Sequence, residues 1–132
     1  MIVSSLLGCN RQVNRDDLVG HYSVRIADEK EEIALFSNGL YENSFSKNGV
    51  IIWRYSDSWR VGYESTLKGF AVTFNRFKFG FEGYGQGTSG FWAVKPERSI
   101  SGVVSLCFDP DLPDRCFVSD RNVETGLHYR LP

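Results

Sequence analysis

The chain has 132 residues, a mass of 15.0 kDa and a formal net charge of −1. This length fits a single domain, and 42% hydrophobic with 14% aromatic residues supply a substantial core, so a disordered chain is excluded. The near-neutral charge argues against general attraction to nucleic acid, and no apolar run reaches the roughly 18 residues of a membrane-spanning helix.

The first notable feature is a short apolar stretch over residues 2–7 that ends in Leu6-Leu7-Gly8-Cys9, with polar residues directly after it. This motif resembles the lipobox of bacterial lipoproteins, in which the preceding segment is cleaved and the cysteine becomes the lipidated N-terminus. The alternative is an ordinary first strand with Cys9 as a buried thiol.

The lipobox resemblance implies a division of the chain into three parts. Residues 1–8 are then the remnant of a signal peptide, 9–17 a tether with lipid on Cys9, and 18–132 the folded domain. The implied location is the cell envelope, facing the periplasm. Asn10, directly after the cysteine, resembles the residue at this position in lipoproteins that are sorted to the outer membrane.

The cysteine count agrees with export. If Cys9 carries lipid, Cys107 and Cys116 are left as an even pair. Apolar residues flank both, and the eight residues between them include two prolines and three aspartates, which predicts two strands joined by a turn-rich, disulfide-closed loop. Disulfides persist outside the cytosol. Two unpaired core thiols are the alternative, and the spacing is unsuited to zinc.

The first predicted strand covers residues 18–27, which alternate between apolar and polar side chains. Asn38-Gly39 predicts a two-residue hairpin, and Asn48-Gly49 predicts the next turn. The apolar face of the first strand contains Leu18, Tyr22, Val24 and Ile26, and its polar face contains His21, Ser23 and Arg25.

Residues 51–63 also alternate, which predicts one long bent strand or a hairpin that turns at residues 56–58. Farther along, large apolar residues change from even positions (Phe70, Val72, Phe74) to odd ones (Phe77, Phe79, Phe81). Since successive strand residues face opposite sides, this change requires a bulge or bend near Asn75-Arg76. In residues 51–63 the odd positions, which share one face, are Ile51, Trp53, Tyr55, Asp57, Trp59, Val61 and Tyr63.

A strand near residues 91–95, a turn at Pro96-Glu97 and the disulfide hairpin bring the total to about eight strands. The predicted fold is all-β: a single antiparallel meander forming a small closed or nearly closed barrel, with a β-sandwich as the alternative. The run Leu18-Val19-Gly20-His21-Tyr22 resembles the opening of lipocalin-like and related small calycin-type barrels.

Three motifs suggest chemistry but have ordinary explanations. Residues 85–90 fit G-x-G-x-x-G, yet they lead into a predicted strand, whereas a phosphate site needs a helix. Arg76 and Lys78 alternate with aromatic residues, as in proteins that bind single-stranded nucleic acid. The near-neutral charge and the export signals argue against that function here. The aspartates of residues 109–114 lack the glycine and distal glutamate of a calcium loop. No metal or cofactor is therefore expected.

No catalytic constellation is visible around the two histidines, His21 and His128, so a non-enzymatic function is predicted. The first hypothesis is a lipid-anchored, monomeric protein-binding module of inhibitor, immunity or envelope assembly type, whose partner is an unknown envelope or secreted protein. The alternative is a lipocalin-like carrier of a small apolar ligand. Ten Phe, six Tyr and three Trp make a filled barrel easier to build, and a pocket above roughly 300 Å³ favours the carrier.

The glycine-rich stretch 82–90 is the candidate binding loop, centred on Tyr84, Gly85, Gln86 and Gly87. Glycine loses much conformational entropy on ordering, so such a loop orders most easily when a partner holds it. Tyrosine is enriched at binding hot spots, which makes Tyr84 the predicted contact.

Overall fold

A computed structural model describes residues 13–80, 90–109, 111 and 113–120. Within these ranges the protein consists of β-strands, a single four-residue α-helix and a short 3₁₀ turn at Pro113–Arg115. The helix, α1, is Arg15–Leu18, and the strands are β1 Gly20–Ile26, β2 Glu29–Leu35, β3 Leu40–Lys47, β4 Val50–Glu64, β5 Gly69–Asn75, β6 Phe91–Val94, β7 Pro96–Arg98, β8 Val104–Leu106 and β9 Phe117–Ser119.

All nine strands belong to one sheet in the order β6-β5-β4-β3-β2-β1-β9-β8-β7, and every neighbouring pair is antiparallel. β1 pairs with β9 through Tyr22–Ser119 and Ser23–Val118, which brings the sheet round nearly to a closed barrel. The predicted antiparallel meander and nearly closed barrel are confirmed.

The two ends of the sheet, β6 and β7, are separated in the chain only by Lys95. Because every neighbouring pair is antiparallel, tracing the directions round the sheet shows that β6 and β7 run the same way. They are therefore the two halves of one bent strand, the first bonded to β5 and the second to β8. When β6 and β7 are counted as one strand, the sheet has eight strands, which is the number that the sequence predicted.

The chain enters the barrel through α1, which the sequence did not predict. Asn14 and Asp17 form a reciprocal capping box: each side chain accepts a hydrogen bond from the other's backbone N–H, at 3.1 and 3.0 Å. Leu18 ends this helix and is fully buried, although the alternation had placed it in the first strand. Residues 14–17 of the expected tether are thus folded onto the barrel.

The two Asn-Gly pairs make different turns. Asn48 and Gly49 both have positive φ, 53° and 80°, and join the paired residues Lys47 and Val50, as in a two-residue hairpin. The two-residue hairpin predicted at Asn38-Gly39 is wrong. The Phe36 N–H donates to the Leu40 carbonyl at 2.9 Å, so the loop there has three residues, 37–39.

The long alternating stretch is one strand, since β4 continues unbroken for 15 residues. The turn predicted at Pro96-Glu97 is wrong, because both residues belong to β7 and pair with Leu106 and Ser105. Proline is tolerated at the first position of a strand, where its missing N–H need not break the ladder. The actual turn follows at residues 99–102, closed by the Ser99 N–H donating to the Val103 carbonyl at 2.8 Å.

The predicted break in the aromatic stretch is confirmed. β5 ends at Asn75, and Arg76 has a φ of +53°, after which residues 76–80 leave the sheet. Phe77 and Phe79 are fully buried in the core, and the Gly80 N–H donates to the Glu31 carboxylate at 3.0 Å. The aromatic side chains of this segment therefore fill part of the barrel interior, while Arg76 is exposed.

The predicted disulfide between Cys107 and Cys116 is confirmed. It follows the last pair of the β8–β9 ladder, Leu106 with Phe117, and so closes the base of the hairpin. The loop that it closes carries Phe108, whose ring lies 5.0 Å from Phe77. The bridge thus fixes one more aromatic against the core.

Replacing Cys107 and Cys116 together by serine is expected to lower the free energy of unfolding by roughly 2.5–3 kcal/mol, because a loop of this length gains that much entropy in the unfolded chain. The barrel should persist, since the other core aromatics are unchanged. Urea unfolding followed by tryptophan fluorescence measures the change, with the reduced parent protein as control. An unchanged unfolding midpoint would contradict this role.

Candidate binding groove

An open groove of about 390 Å³ lies on the outer face of β4, β5 and β6. Thr73 and Ala93, which are paired across β5 and β6, line the groove, and each is followed in sequence by a core residue. Since side chains alternate between faces, the groove lies outside the barrel wall. Its lining consists of Arg60, Val61, Gly62, Tyr63, Glu64, Thr66, Leu67, Thr73, Phe91 and Ala93.

The groove exists because its floor is built from small residues. Gly62 pairs with Ala71, and Thr73 lies between Arg60 and Ala93 in neighbouring strands. A Cβ atom added at Gly62 has no other atom within 4 Å. A larger side chain at this position would therefore extend into the groove and not into the protein.

The outer side of the groove combines a cation with an exposed aromatic ring. The Arg60 guanidinium lies 4.8 Å from the centre of the Phe91 ring, a cation–π contact. Phe91 is 61% exposed, which is high for a large ring, and the 74% exposed Tyr63 adjoins the groove on the other face of β4. The Glu64 carboxylate accepts a hydrogen bond from the Thr66 N–H at 2.9 Å and so holds the β4–β5 turn at the end of the groove. This lining suits an amphipathic group with an apolar body and an acidic or polar end.

An unpaired strand edge borders the groove. β4 pairs with β3 only as far as Ser58, and the Trp59 N–H makes one further bond, to the Gly39 carbonyl at 2.9 Å. Residues 60–64 pair with β5 along one edge, and no backbone group within the described ranges bonds to their other edge. Such an edge presents N–H and C=O groups to an additional strand.

A second polar site lies inside the barrel, away from the groove. The Glu31 carboxylate is fully buried and accepts hydrogen bonds from the Asn43 side chain and the Gly80 N–H, both at 3.0 Å. Burial raises the pKa of Glu31 to about 7, although both hydrogen bonds act in the opposite direction. The Asn43 amide also donates to the Lys78 carbonyl, so this pair ties residues 76–80 to β2 and β3.

The candidate residues from the sequence fall in different places. Cys9 and the loop residues Tyr84, Gly85, Gln86 and Gly87 lie outside the described residues. The described chain resumes at Gly90, whose carbonyl accepts a hydrogen bond from the Arg76 N–H at 2.7 Å, and Phe91 directly after it lines the groove. The candidate loop therefore adjoins the groove in sequence.

The basic and aromatic stretch is arranged for packing. Phe77 and Phe79 are buried, so their faces are not available for stacking on bases. Arg76 forms an ion pair with Asp57 at 2.9 Å, and the Lys78 ammonium lies 4.8 Å from the Trp53 ring centre. In the part of the chain that the structure describes, no three His, Cys, Asp or Glu side chains are grouped to hold a metal.

Among the residues described, no helix has both the length and the hydropathy needed to cross a bilayer. No known protein family, curated protein or solved structure matches this chain. The groove, the strand edge and the N-terminal motif therefore have to be interpreted from their own chemistry.

Sequence reasoning missed the groove residues Arg60, Gly62 and Phe91. The alternation of residues 51–63 did place Arg60 and Gly62 on the same face of a strand. What it lacked was their pairing with β5 and β6, which depends on the register between strands. Gly62, within an otherwise bulky alternating strand, was the available signal.

Glu31→Gln is expected to flatten the pH dependence of stability. With a folded pKa of about 7 against an ordinary value of 4.5, the free energy of unfolding of the parent is fully retained below pH 4.5 and falls by roughly 3 kcal/mol as the pH rises from 4.5 to about 7. Glutamine is neutral throughout and removes this loss. Urea unfolding at several pH values from 4 to 8 tests it.

The half-exposed neighbour Glu32 supplies the matched control for this experiment. Glu32→Gln should leave the slope between pH 4 and 8 as it is in the parent. A constant difference in stability between Glu31→Gln and the parent across that range would show that Glu31 does not ionise in the way the burial requires.

Proposed function

We propose that this chain is a lipid-anchored bacterial envelope protein that acts as a non-enzymatic protein-binding module, of inhibitor, immunity or envelope assembly type. The observation that carries the proposal is the outer groove beside the unpaired edge of β4. Arg60 and Tyr63 on this surface are residue types enriched at protein-binding hot spots. The partner is an envelope or secreted protein.

The geometry favours a particular mode of binding. An extended segment of the partner adds to the edge at residues 60–64 through backbone hydrogen bonds, and its alternate side chains give specificity. One apolar side chain enters the groove over Gly62, beside Phe91. A carboxylate beside it pairs with the guanidinium of Arg60, which can donate two parallel hydrogen bonds.

The alternative, a lipocalin-like carrier, draws support from volume alone. At about 390 Å³, the groove exceeds the roughly 300 Å³ at which ligand pockets begin. However, it is open and lies outside the barrel wall, whereas a lipocalin-like ligand occupies the interior. The interior holds fully buried rings such as Tyr41, Phe74 and Phe117, together with residues 76–80. These observations favour the protein-binding proposal.

The proposed envelope location is supported by two independent features. One is the lipobox-like Leu6-Leu7-Gly8-Cys9. The other is the disulfide between Cys107 and Cys116, a bond that persists in oxidising compartments such as the periplasm.

Cys9→Ser is expected to move the protein from the membrane fraction to the soluble fraction. Acyl chains on Cys9 provide the attachment, at about 0.8 kcal/mol for each buried CH₂ group. Fractionation with immunodetection measures the shift. The Cys107→Ser/Cys116→Ser variant is the control and should remain with the membrane. Membrane retention of the Cys9→Ser protein would refute the anchor.

Gly62→Val is expected to reduce partner binding at least tenfold without loss of thermal stability. The added side chain fills the groove, meets no other atom at its Cβ, and is of a type that suits strands. The partner is first identified by placing a photo-crosslinking residue at Tyr63 in the lipidated protein, with the same residue at exposed Arg25 of β1 as control. Binding of the purified partner is then measured.

Ser56→Val is the matched substitution, because Ser56 is an exposed small residue of the same strand outside the groove. It should bind the partner as the parent does. Equal affinities for the Gly62 and Ser56 variants, or crosslinks that are as frequent from position 25 as from position 63, would remove the groove from consideration.

A further inference from the structure

The attachment of α1 identifies the end of the barrel nearest to the tether. The Arg15 guanidinium donates to the Ser37 carbonyl at 2.9 Å, in the β2–β3 loop. Asp17 forms an ion pair with Arg98 at 2.8 Å, at the end of β7. The helix therefore lies between two loops at one end of the barrel. We call α1, residues 36–40 and residues 99–102 the anchor end.

The anchor end exposes apolar side chains on both of these loops. Ile100, at the turn between β7 and β8, is 96% exposed. Phe36 and Leu40 in the β2–β3 hairpin are 43% and 50% exposed. Isolated exposed apolar residues are common, but three on the two loops that flank α1, beside the attachment point, form a surface that a bilayer can cover.

The length of the tether decides which end of the barrel meets the membrane. Only five residue steps separate Cys9 from Asn14, which caps α1, so the chain between them spans at most about 18 Å. The opposite end carries the β1–β2 and β3–β4 turns, joined by the Asn48 N–H donating to the Asp28 carbonyl at 2.8 Å. The seven residues of β1 alone measure about 23 Å.

A second exposed apolar group, Val50, Ile51 and Ile52, lies at that opposite end, directly after the β3–β4 turn. A lipid on Cys9 could bring it to the bilayer only if the tether spanned the length of the barrel. Since the tether is shorter than β1, this group is held away from the surface. Both ends of the barrel expose apolar side chains, so exposure alone does not identify the end that faces the membrane. The length of the tether does.

We propose that the anchor end lies directly against the phospholipid bilayer, with Ile100, Phe36 and Leu40 in the headgroup region. This orientation rests on the proposed lipidation of Cys9. It points the Val50–Ile52 group away from the membrane, towards the aqueous compartment. The β4–β5 turn at the end of the groove lies at the anchor end as well, because β4 and β7 run the same way in the sheet, so the bilayer contact leaves the groove open to partners from the side of the barrel.

Fluorescence quenching by brominated phospholipids tests the orientation. The full-length lipidated protein is reconstituted into phosphatidylethanolamine–phosphatidylglycerol vesicles with and without bromine on the acyl chains. Ile100→Trp and Ile52→Trp add one tryptophan at either end, and the parent with its three tryptophans supplies the common background. The emission added at position 100 should fall at least twofold in brominated vesicles, and that added at position 52 should not.

Equal quenching at the two positions, or stronger quenching at position 52, would overturn the proposal. Residues 121–132 or a second protein covering the anchor end would leave position 100 unquenched and would count against it equally. Each substitution replaces an exposed isoleucine by tryptophan, so neither is expected to disturb the fold. Comparing the melting temperatures of the two variants checks this.

Failure of the anchor itself gives a different result. In that case mass spectrometry of the cellular protein finds no lipid on Cys9, and fractionation of the Cys9→Ser variant matches the parent. The Cys9 thiol can then be added across the double bond of a maleimide-headgroup phospholipid, forming a thioether, while the disulfide protects Cys107 and Cys116. Quenching of the coupled protein tests the orientation independently of whether cells attach the lipid.

Discussion

The packing of residues 76–80 inside the barrel determines how the rest of the molecule is used. A small eight-stranded barrel has room for side chains or for one small ligand, but not for both. Here the space is taken by Phe77 and Phe79, whose burial contributes roughly 2–3 kcal/mol each. The disulfide loop adds Phe108 to the same cluster. With these aromatic rings in the interior, the proposed recognition surface is on the outer wall.

Placing backbone in the barrel interior leaves N–H and C=O groups that need partners away from water. The Glu31–Asn43 pair meets part of this need, at the Gly80 N–H and the Lys78 carbonyl. The cost is a carboxyl group in an apolar environment, which is least unfavourable when protonated. The same side chain that orders the interior therefore makes the stability of the barrel depend on pH.

The sequence predicted what depends on local patterns and missed what depends on register. Alternation predicted the strands and the barrel, and the phase change near Asn75 predicted the break after β5. Both patterns are local, because successive side chains of a strand point to opposite faces. The disulfide followed from spacing and turn residues. In contrast, the Pro96 turn was wrong because a strand-starting proline and a turn proline look alike in sequence. The groove was missed because its lining comes from β4, β5 and β6, and the register between these strands is not contained in any one of them.

The unequal lengths of β3 and β4 explain the edge beside the groove. Beyond Ser58, β4 has β5 as its only described strand partner, so within the described ranges its other edge is unpaired. A longer β3 would pair with this edge and would leave the outward face as it is. Exposed edges are aggregation risks that proteins usually cover, and a strand added by the proposed partner is one way to cover this one.

The identity of residue 62 supports the same proposal. Its backbone does not have the positive φ that favours glycine, and an added Cβ meets no atom within 4 Å. Glycine within a strand weakens it by roughly 0.5–1 kcal/mol relative to alanine. Folding therefore gives no reason for glycine at this position and a modest reason against it. The proposed mode of binding would supply a reason, because glycine leaves space for an incoming side chain beside Phe91.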